Sequence, residues 1–400
     1  MAINHQTNDD LYRGLGATER AILERIPVLF LRKLAAGIVR AKMRMQFSGW
    51  LQYLLPIIFV LFLSLIGGVV YLLRARVVAN IFFGLAIVLF AIAVFDLVTV
   101  KFRLRFPESL PKRRDNLNLF DLMRARHSCR SFQTRKLTDA DHYELMESVR
   151  VHLREQQFGK SLVRFEYVSV PLTVWPVVNA TEFLVAIAPK EYDRLAIIDV
   201  GYSLQKVVMD ATRMGLGTCW IGPGADHVSI TQVLGERFDP EKDQLICVCA
   251  VGYHSKYIPI FLRIFNAQFR RRLPLSQLFF ADAELSKPLG LDAAPYNHFG
   301  RNYEVCQWAP SSYNGQTTRC VAHTDNNGTL QSFDFYAATA SKYYAPVALG
   351  IWCANWELGC EAQGIHGHFA VLPKEYSGEK LPRYDVSWVL DEDFSVDTPQ

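Results

Sequence analysis

No Cys-x-x-Cys pair occurs in this 400-residue chain, and none of the eight cysteines stands at a cysteine–histidine spacing that would hold zinc. Most lie inside apolar runs such as ICVCAVG, so they read as buried thiols rather than a disulfide framework, and no metal site is expected. Net charge is also scarce. A formal +4 is too small for a general nucleic-acid footprint, so no nucleic-acid partner is expected and the basic residues must be read as local clusters.

Charge is missing altogether from Leu51 to Leu73, LQYLLPIIFVLFLSLIGGVVYLL. At about 1.5 Å per residue this run crosses a hydrocarbon layer of roughly 30 Å. VVANIFFGLAIVLFAIAVF, Val77 to Phe95, follows after Arg74-Ala75-Arg76, so the pair reads as a transmembrane helical hairpin. Some fifty residues precede it and the second span follows at once, so no cleavable signal peptide is expected. Arg32, Lys33, Arg40, Lys42 and Arg44 lie before the hairpin, and Lys101, Arg103, Arg105, Lys112, Arg113 and Arg114 after it. The positive-inside bias then predicts an integral membrane protein of two spans with its soluble domain facing the cytoplasm. Asp96, at the end of the second span, is expected to reach the headgroup layer. ERAILERIPVLFLRKLAAGIVRAKMRM alternates apolar and basic residues at helical spacing. Two readings of it stand side by side: a helix on anionic membrane lipid, or a soluble helix packed on the main domain.

After FPESLPKRRDN the composition turns globular. TDADHYELMESVRVHL opens with Thr138 and Asp141 in capping spacing and predicts a helix. VRFEYVSV, FLVAIAP and QLICVCAVG read as strands, and SLQKVVMDATRMGLG as a helix closed by glycine, a mixed α+β pattern. Between the hairpin and the capped helix stands RARHSCRSF. Its Arg126, His127, Ser128 and Arg130 can surround a phosphate with forked donors and a hydroxyl, or form a juxtamembrane basic patch on lipid.

RHSCRSF followed by TDADHYELM resembles the opening of the FMN-dependent nitroreductase family, whose members begin Arg-Arg/His-Ser-x-Arg-x-Phe and continue into a helix. The resemblance implies that Arg126, His127, Ser128 and Arg130 clasp the FMN phosphate. DVGYSLQKVVMDATRMGLGTCWIG resembles the family's central helix and its Gly-Leu-Gly-Thr-x-Trp turn, which puts Gly215, Leu216, Gly217 and Thr218 against the flavin. CAVGYHSK resembles the following strand and turn. FRRRLPLSQLFF resembles the segment that returns two cations to the phosphate, here Arg270 and Arg272.

The family's Ala-Pro-Ser-x-x-Asn-x-Gln-Pro-Trp is absent near the arginines and is matched far downstream by WAPSSYNGQTTRC. Pro310, Ser311, Ser312, Asn314 and Gln316 match, and Thr317-Thr318 replace Pro-Trp. Amides and hydroxyls at that spacing suit the polar edge of an isoalloxazine ring. YYAPVALGIWCANWELGCEAQGIHG has the spacing of the central helix and turn again, so the chain resembles two nitroreductase halves, fused and diverged into a pseudo-dimer.

The divisions this implies are a basic amphipathic segment over 1–48, the hairpin over 49–105, a phosphate-side half over 118–282 and a ring-side half over 283–400. GLDAAPYNHFGRN between the halves reads as a linker, and DEDFSVDTPQ as a frayed end. The resemblance implies one FMN per chain and ping-pong hydride transfer from NADPH or NADH to a small-molecule electron acceptor of nitroaromatic or quinone type. The cofactor carries that chemistry, so no side chain is nominated as catalytic. Two alternatives remain at this level: a reductive dehalogenase, as in the iodotyrosine deiodinase branch of the superfamily, and a non-catalytic membrane-tethered flavin sensor.

Overall fold

The computed structural model describes residues 17–154, 158–325, 327–373 and 380–391. The expected frayed C-terminus lies, apart from Asp391, outside them, as does the start of the 1–48 segment. The chain divides into two compact units, one of Met1–Arg105, Thr173–Val178 and Tyr257–Arg263, the other of the remainder.

The first unit begins with α1 (Ala17–Glu24) and α2 (Leu29–Phe47), then α3 (Leu51–Leu72) and α4 (Arg76–Asp96). α3, and α4 continued to Lys101, are long and apolar enough to cross a membrane. They pack on small residues: Ala79, Ala86 and Ala93 recur every seventh position on α4 and are all buried, which keeps one narrow seam facing α3. At Gly67 an added Cβ would lie 3.0 Å from the Phe83 ring, so the glycine admits that ring. Asp96 does not reach outward as expected. It is buried, and its carboxylate accepts the Ile260 backbone N–H at 2.7 Å, because an N–H left open at a helix start takes up the nearest acceptor.

The second unit holds α5 (Leu119–Ala125), α6 (Asp139–Arg154), β1 (Arg164–Val168), β2 (Glu182–Pro189), α7 (Arg194–Arg213), β3 (Gly217–Ile221), α8 (His227–Leu234) and β4 (Asp243–Gly252). α9 (Ile260–Gln268) starts in the first unit and ends in the second. Next come β5 (Phe279–Phe280), α10 (Gly300–Gln307), β6 (Thr318–Thr324), β7 (Leu330–Ala337), α11 (Tyr344–Ala362), β8 (Gly367–Ala370) and β9 (Arg383–Leu390).

The predicted capped helix begins as read: Thr138 Oγ1 accepts the Asp141 N–H at 3.2 Å. α7 starts on Asp193, whose carboxylate accepts from the backbone of Leu195 and Ala196, and stops ahead of Gly215 at φ +85°.

The strands form two sheets, ordered β1-β2-β4-β3 and β5-β6-β7-β9-β8. Apart from the added edge strand β5, which pairs parallel with β6, the order repeats, with the long buried helix between the second and third strands each time. An interval of 149 residues relates Gly201 to Gly350, Gly215 to Gly364, and the register shift at Ala186/Ile187 to that at Phe335/Tyr336.

α7 and α11 touch backbone to backbone. A Cβ on Gly201 would strike the Val347 carbonyl, and one on Gly350 the Ile198 carbonyl, a reciprocal pair at the same interval. Around this crossing lie polar links with little exposure. Lys206 Nζ meets Glu357 at 2.7 Å, the Tyr202 hydroxyl donates to Glu357, and Gln205 donates to Asn355 at 3.1 Å. Arg194 makes a two-bond contact with Asp385 at 2.5 and 2.7 Å.

The core centres on Trp356, which stacks on Phe299 with centroids 5.7 Å apart and packs against Phe333 and Phe335. Phe299 belongs to the stretch read as a linker. Its ring is fully buried and α10 starts at the next residue, because one large apolar side chain outweighs the turn-forming composition around it. β5, placed by the sequence in the 118–282 half, lies in the second sheet.

Candidate functional site

The stretch after α5 leaves the helix extended at Arg126, ψ 125°, and runs beside β3. Ser128 bridges Thr218, the Cys129 N–H donates to the Thr218 carbonyl at 2.8 Å, and Phe132 bridges His254. Gly217 is required there, since an added Cβ would lie 2.7 Å from Cys129 Sγ. At Gly215 one would lie 2.5 Å from the Lys112 carbonyl. Gly217 therefore lets the arginine stretch approach β3, and Gly215 lets the chain at Lys112 approach. Leu216 is core, and Thr218 is buried with its backbone bonded to neighbouring strands.

Three cations converge from two distant parts of the sequence. Arg126 is half-buried and, among the described residues, its guanidinium makes no hydrogen bond or ion pair. Burial and the positive charge of Arg272 push it down to about 10, the direction expected of a cation whose counter-ion is missing. Arg130 is held: Nε donates to Asn266 Oδ1 at 2.5 Å, the guanidinium lies 4.9 Å over the Phe265 ring, and Nη1 is 3.9 Å from Cys219 Sγ.

Arg272 donates from Nη1 to Asn314 Oδ1 at 2.6 Å and to the Ala309 carbonyl at 3.3 Å, and stands 5.2 Å over the Trp308 ring. Its Nε is buried with no partner among the described residues, and burial lowers its pKa. Arg270 is exposed, and among the described residues its side chain makes no bond; His127 is exposed and contacts the Ala125 carbonyl at 3.0 Å.

The Pro310–Gln316 loop meets the arginine segment directly. Gln316 Oε1 accepts the Leu273 N–H at 2.8 Å, Asn314 Nδ2 donates to the Arg271 carbonyl at 2.7 Å, and Ser311 Oγ accepts the Gln316 N–H at 2.9 Å. Tyr313, Asn314 and Gln316 have φ of +51°, +54° and +46°. Left-handed backbone at three non-glycine residues costs free energy and persists only where surrounding bonds hold it. The amides expected to face a flavin ring are thus tied to the 271–273 backbone, while the Ser312 hydroxyl has no partner among the described residues. Thr317 and Trp352, whose Oγ1 and Nε1 are buried with no partner among the described residues, are among the residues lining a cavity of about 10 Å³ with Ser311 and Gln316.

This arrangement suits a compact dianion: three guanidinium groups, a hydroxyl and, among the described residues, no carboxylate bonded to any of the three arginines. A phosphomonoester has the charge and the acceptor count to satisfy Arg126 and the orphaned Arg272 Nε, so the residues fit the phosphate end of FMN. No cluster of histidine, cysteine or carboxylate suited to a metal occurs among the described residues.

Sequence reading missed Asn266, Phe265 and Trp308. The first two ride on α9, whose signal was Pro259 followed by an apolar helical pattern, IFLRIF.

The family described as "Putative TM nitroreductase" matches residues 118–360, and the chain belongs to that family. Among solved structures, one described as a "putative nitroreductase" from Thermotoga maritima is 17% identical, with a TM-score of 0.45 over 71% of this chain and 99% of that one. A nitroreductase from Bacteroides fragilis with bound FMN is 14% identical, with a TM-score of 0.29 over 35% of this chain and 90% of its own. One from Exiguobacterium sibiricum, in complex with FMN, is 13% identical, with a TM-score of 0.31 over 41% and 97%. No curated protein matches.

Proposed function

We propose that the protein is a membrane-anchored, FMN-dependent NAD(P)H oxidoreductase that reduces an electron-poor small molecule of nitroaromatic or quinone type. The observation that carries this reading is the Arg126–Arg272 pair: two half-buried guanidinium groups, the charge of Arg272 acting on Arg126, to which the described residues offer no anion. Arg126, Arg130, Arg272 and Ser128 would hold the phosphate, and the Pro310–Gln316 loop would border the ring. Arg270 and His127, both exposed, are left for the outer rim.

When bound, FMN supplies reversible hydride acceptance, which lets one pocket serve a nucleotide donor and then an acceptor. The chain's own part is to bind, orient and shield. Asn266 and Phe265 hold the Arg130 fork, and Asn314 and Gln316 brace the loop against 271–273. In this reading residues 118–282 and 283–400 stand in for the two subunits of a dimer and build one site between them. The α3–α4 hairpin anchors the chain, and its basic flanks put the soluble part on the cytoplasmic side.

The test is an absorption spectrum of detergent-purified protein, followed by anaerobic addition of NADPH or NADH. A flavin band that bleaches supports the reading. A band that persists with both nucleotides favours a sensor, and no band after FMN reconstitution removes the cofactor assignment.

A further inference from the structure

The first unit carries an apolar surface that the anchor reading leaves unused. α1 and α2 fold on each other through Leu23, Ile26, Ala35, Ala36, Val39 and Met43, and Arg32 fastens the turn by two bonds to the Ile26 carbonyl at 2.7 and 3.0 Å. With one face so used, α2 turns a second apolar stripe outward. Phe30, Leu34 and Ile38 follow at four-residue spacing and are 72%, 54% and 62% exposed, with Leu31 beside them. Three side chains of this size in water are costly, at about 25 cal/mol per Å² of apolar surface. Of the two readings of this segment, the exposed stripe favours the helix on lipid.

The charges say what covers the stripe. At 100° per residue, Lys33, Arg40 and Arg44 fall along one edge of the stripe and Lys42 along the other, so cations flank apolar residues on both sides. Between Arg25 and Phe95 there is no aspartate or glutamate. The helix is also held next to the span. Ser48, left-handed Gly49 (φ +70°) and Trp50 make a three-residue corner into α3. Lys101, from the far end of the hairpin, donates to the Ser48 carbonyl at 3.3 Å and lies 4.6 Å from the Trp50 ring. A tryptophan and a lysine stacked at the foot of two spans mark a headgroup level.

We propose that α2 lies in the membrane surface as an interfacial helix, its Phe30–Leu34–Ile38 stripe among acyl chains and its flanking cations on anionic phospholipid headgroups. The partner is the lipid surface itself.

This inference rests on the hairpin crossing a bilayer, and the experiment separates the two. The full chain is placed in nanodiscs of phosphatidylglycerol and phosphatidylethanolamine, with a nitroxide on Ile38→Cys, on Leu61→Cys in mid-span, or on Arg25→Cys. All eight native thiols are buried, so the added one reacts selectively. Collision with oxygen is compared with collision with a water-soluble nickel chelate. The expected result is several-fold oxygen preference at Ile38 and Leu61 and the reverse at Arg25. Neutral phosphatidylcholine discs, or Gln at Lys33, Arg40, Lys42 and Arg44 together, should reduce the preference at Ile38 while leaving Leu61 unchanged.

An Ile38 label as open to nickel as Arg25, with Leu61 still in lipid, overturns the inference alone. Leu61 in water overturns the anchor with it. A label at Ile38 shielded from both reagents means that protein, such as a second copy, covers the stripe, and it also overturns the inference. Oxygen preference at Ile38 unaltered by neutral lipid overturns the headgroup part.

Discussion

Arg272 and Asn314 are joined by a 2.6 Å hydrogen bond from Nη1 to Oδ1. The first was expected at the phosphate end of a cofactor and the second at its ring edge, 42 residues apart. Their bond ties the two segments together, with the Trp308 ring 5.2 Å from the same guanidinium.

Removing Arg126 should strike the phosphate and little else, because its guanidinium has no partner to release among the described residues. A charge-assisted hydrogen bond is worth about 1.5–3 kcal/mol, so Arg126→Ala should weaken FMN binding roughly 10- to 100-fold. Riboflavin, which lacks the phosphate, should bind the variant and the parent alike. Fluorescence titration of apoprotein with both ligands checks this; equal losses for the two would place Arg126 elsewhere.

Asn266 positions Arg130 rather than touching a ligand, so two replacements should differ. Asn266→Leu frees the guanidinium and should cost FMN affinity a few-fold. Asn266→Asp supplies a carboxylate at the same 2.5 Å position, which competes with phosphate and should cost more, most of all at low salt. A salt series of FMN dissociation constants distinguishes this competition from a packing defect, which would be salt-independent.

The crossing of α7 and α11 admits no side chain at its closest points. Gly201→Ala or Gly350→Ala would drive a methyl into a backbone carbonyl held in the buried part of the facing helix, where it cannot swing aside. Either should destabilise the chain by at least about 3 kcal/mol, the upper range for overpacking, read from the denaturant midpoint.

Lys206 and Glu357 should behave as a buried pair. Lys206→Met strands the Glu357 carboxylate on the Tyr202 hydroxyl alone and should cost about 3–5 kcal/mol. The double variant Lys206→Met with Glu357→Leu should recover much of that. A double-mutant cycle on unfolding midpoints measures the coupling, and additivity would deny it.

Burial lowers the pKa of His227, with Asp226 opposing weakly. The unfolded chain, with histidine near 6.5, then binds the proton more readily than the folded one. Stability should fall as pH drops below about 6.5 and level off beneath the folded pKa. His227→Gln should flatten that slope in denaturant titrations between pH 7.5 and pH 5.5.

Much of the fold was legible because local rules carry it. The hairpin follows from two uncharged runs, the α6 start from Thr138 and Asp141, and the end of α7 from Gly215, each decided within a few residues. The site was legible as residue types in order, through RHSCRSF and WAPSSYNGQ. What each side chain does there was not. Leu216 goes to the core, Gln316 to the backbone of Leu273 and Arg271, and Arg270 to solvent, because a motif states chemistry while hydrogen-bond partners come from segments tens of residues away.

The sequence alone determined the apolar helical hairpin, the mixed α+β architecture with its repeated helix, and the cation-rich stretch that ends at Phe132. These depend on periodicity, length and capping, which short windows contain. Tertiary structure alone decided that Asp96 turns inward to Ile260, that Phe299 enters the core, and that Asn266 and Asn314 become the partners of Arg130 and Arg272. Such pairings are set by which surfaces the packed sheets and helices bring within about 3 Å, a distance that no spacing along the chain encodes.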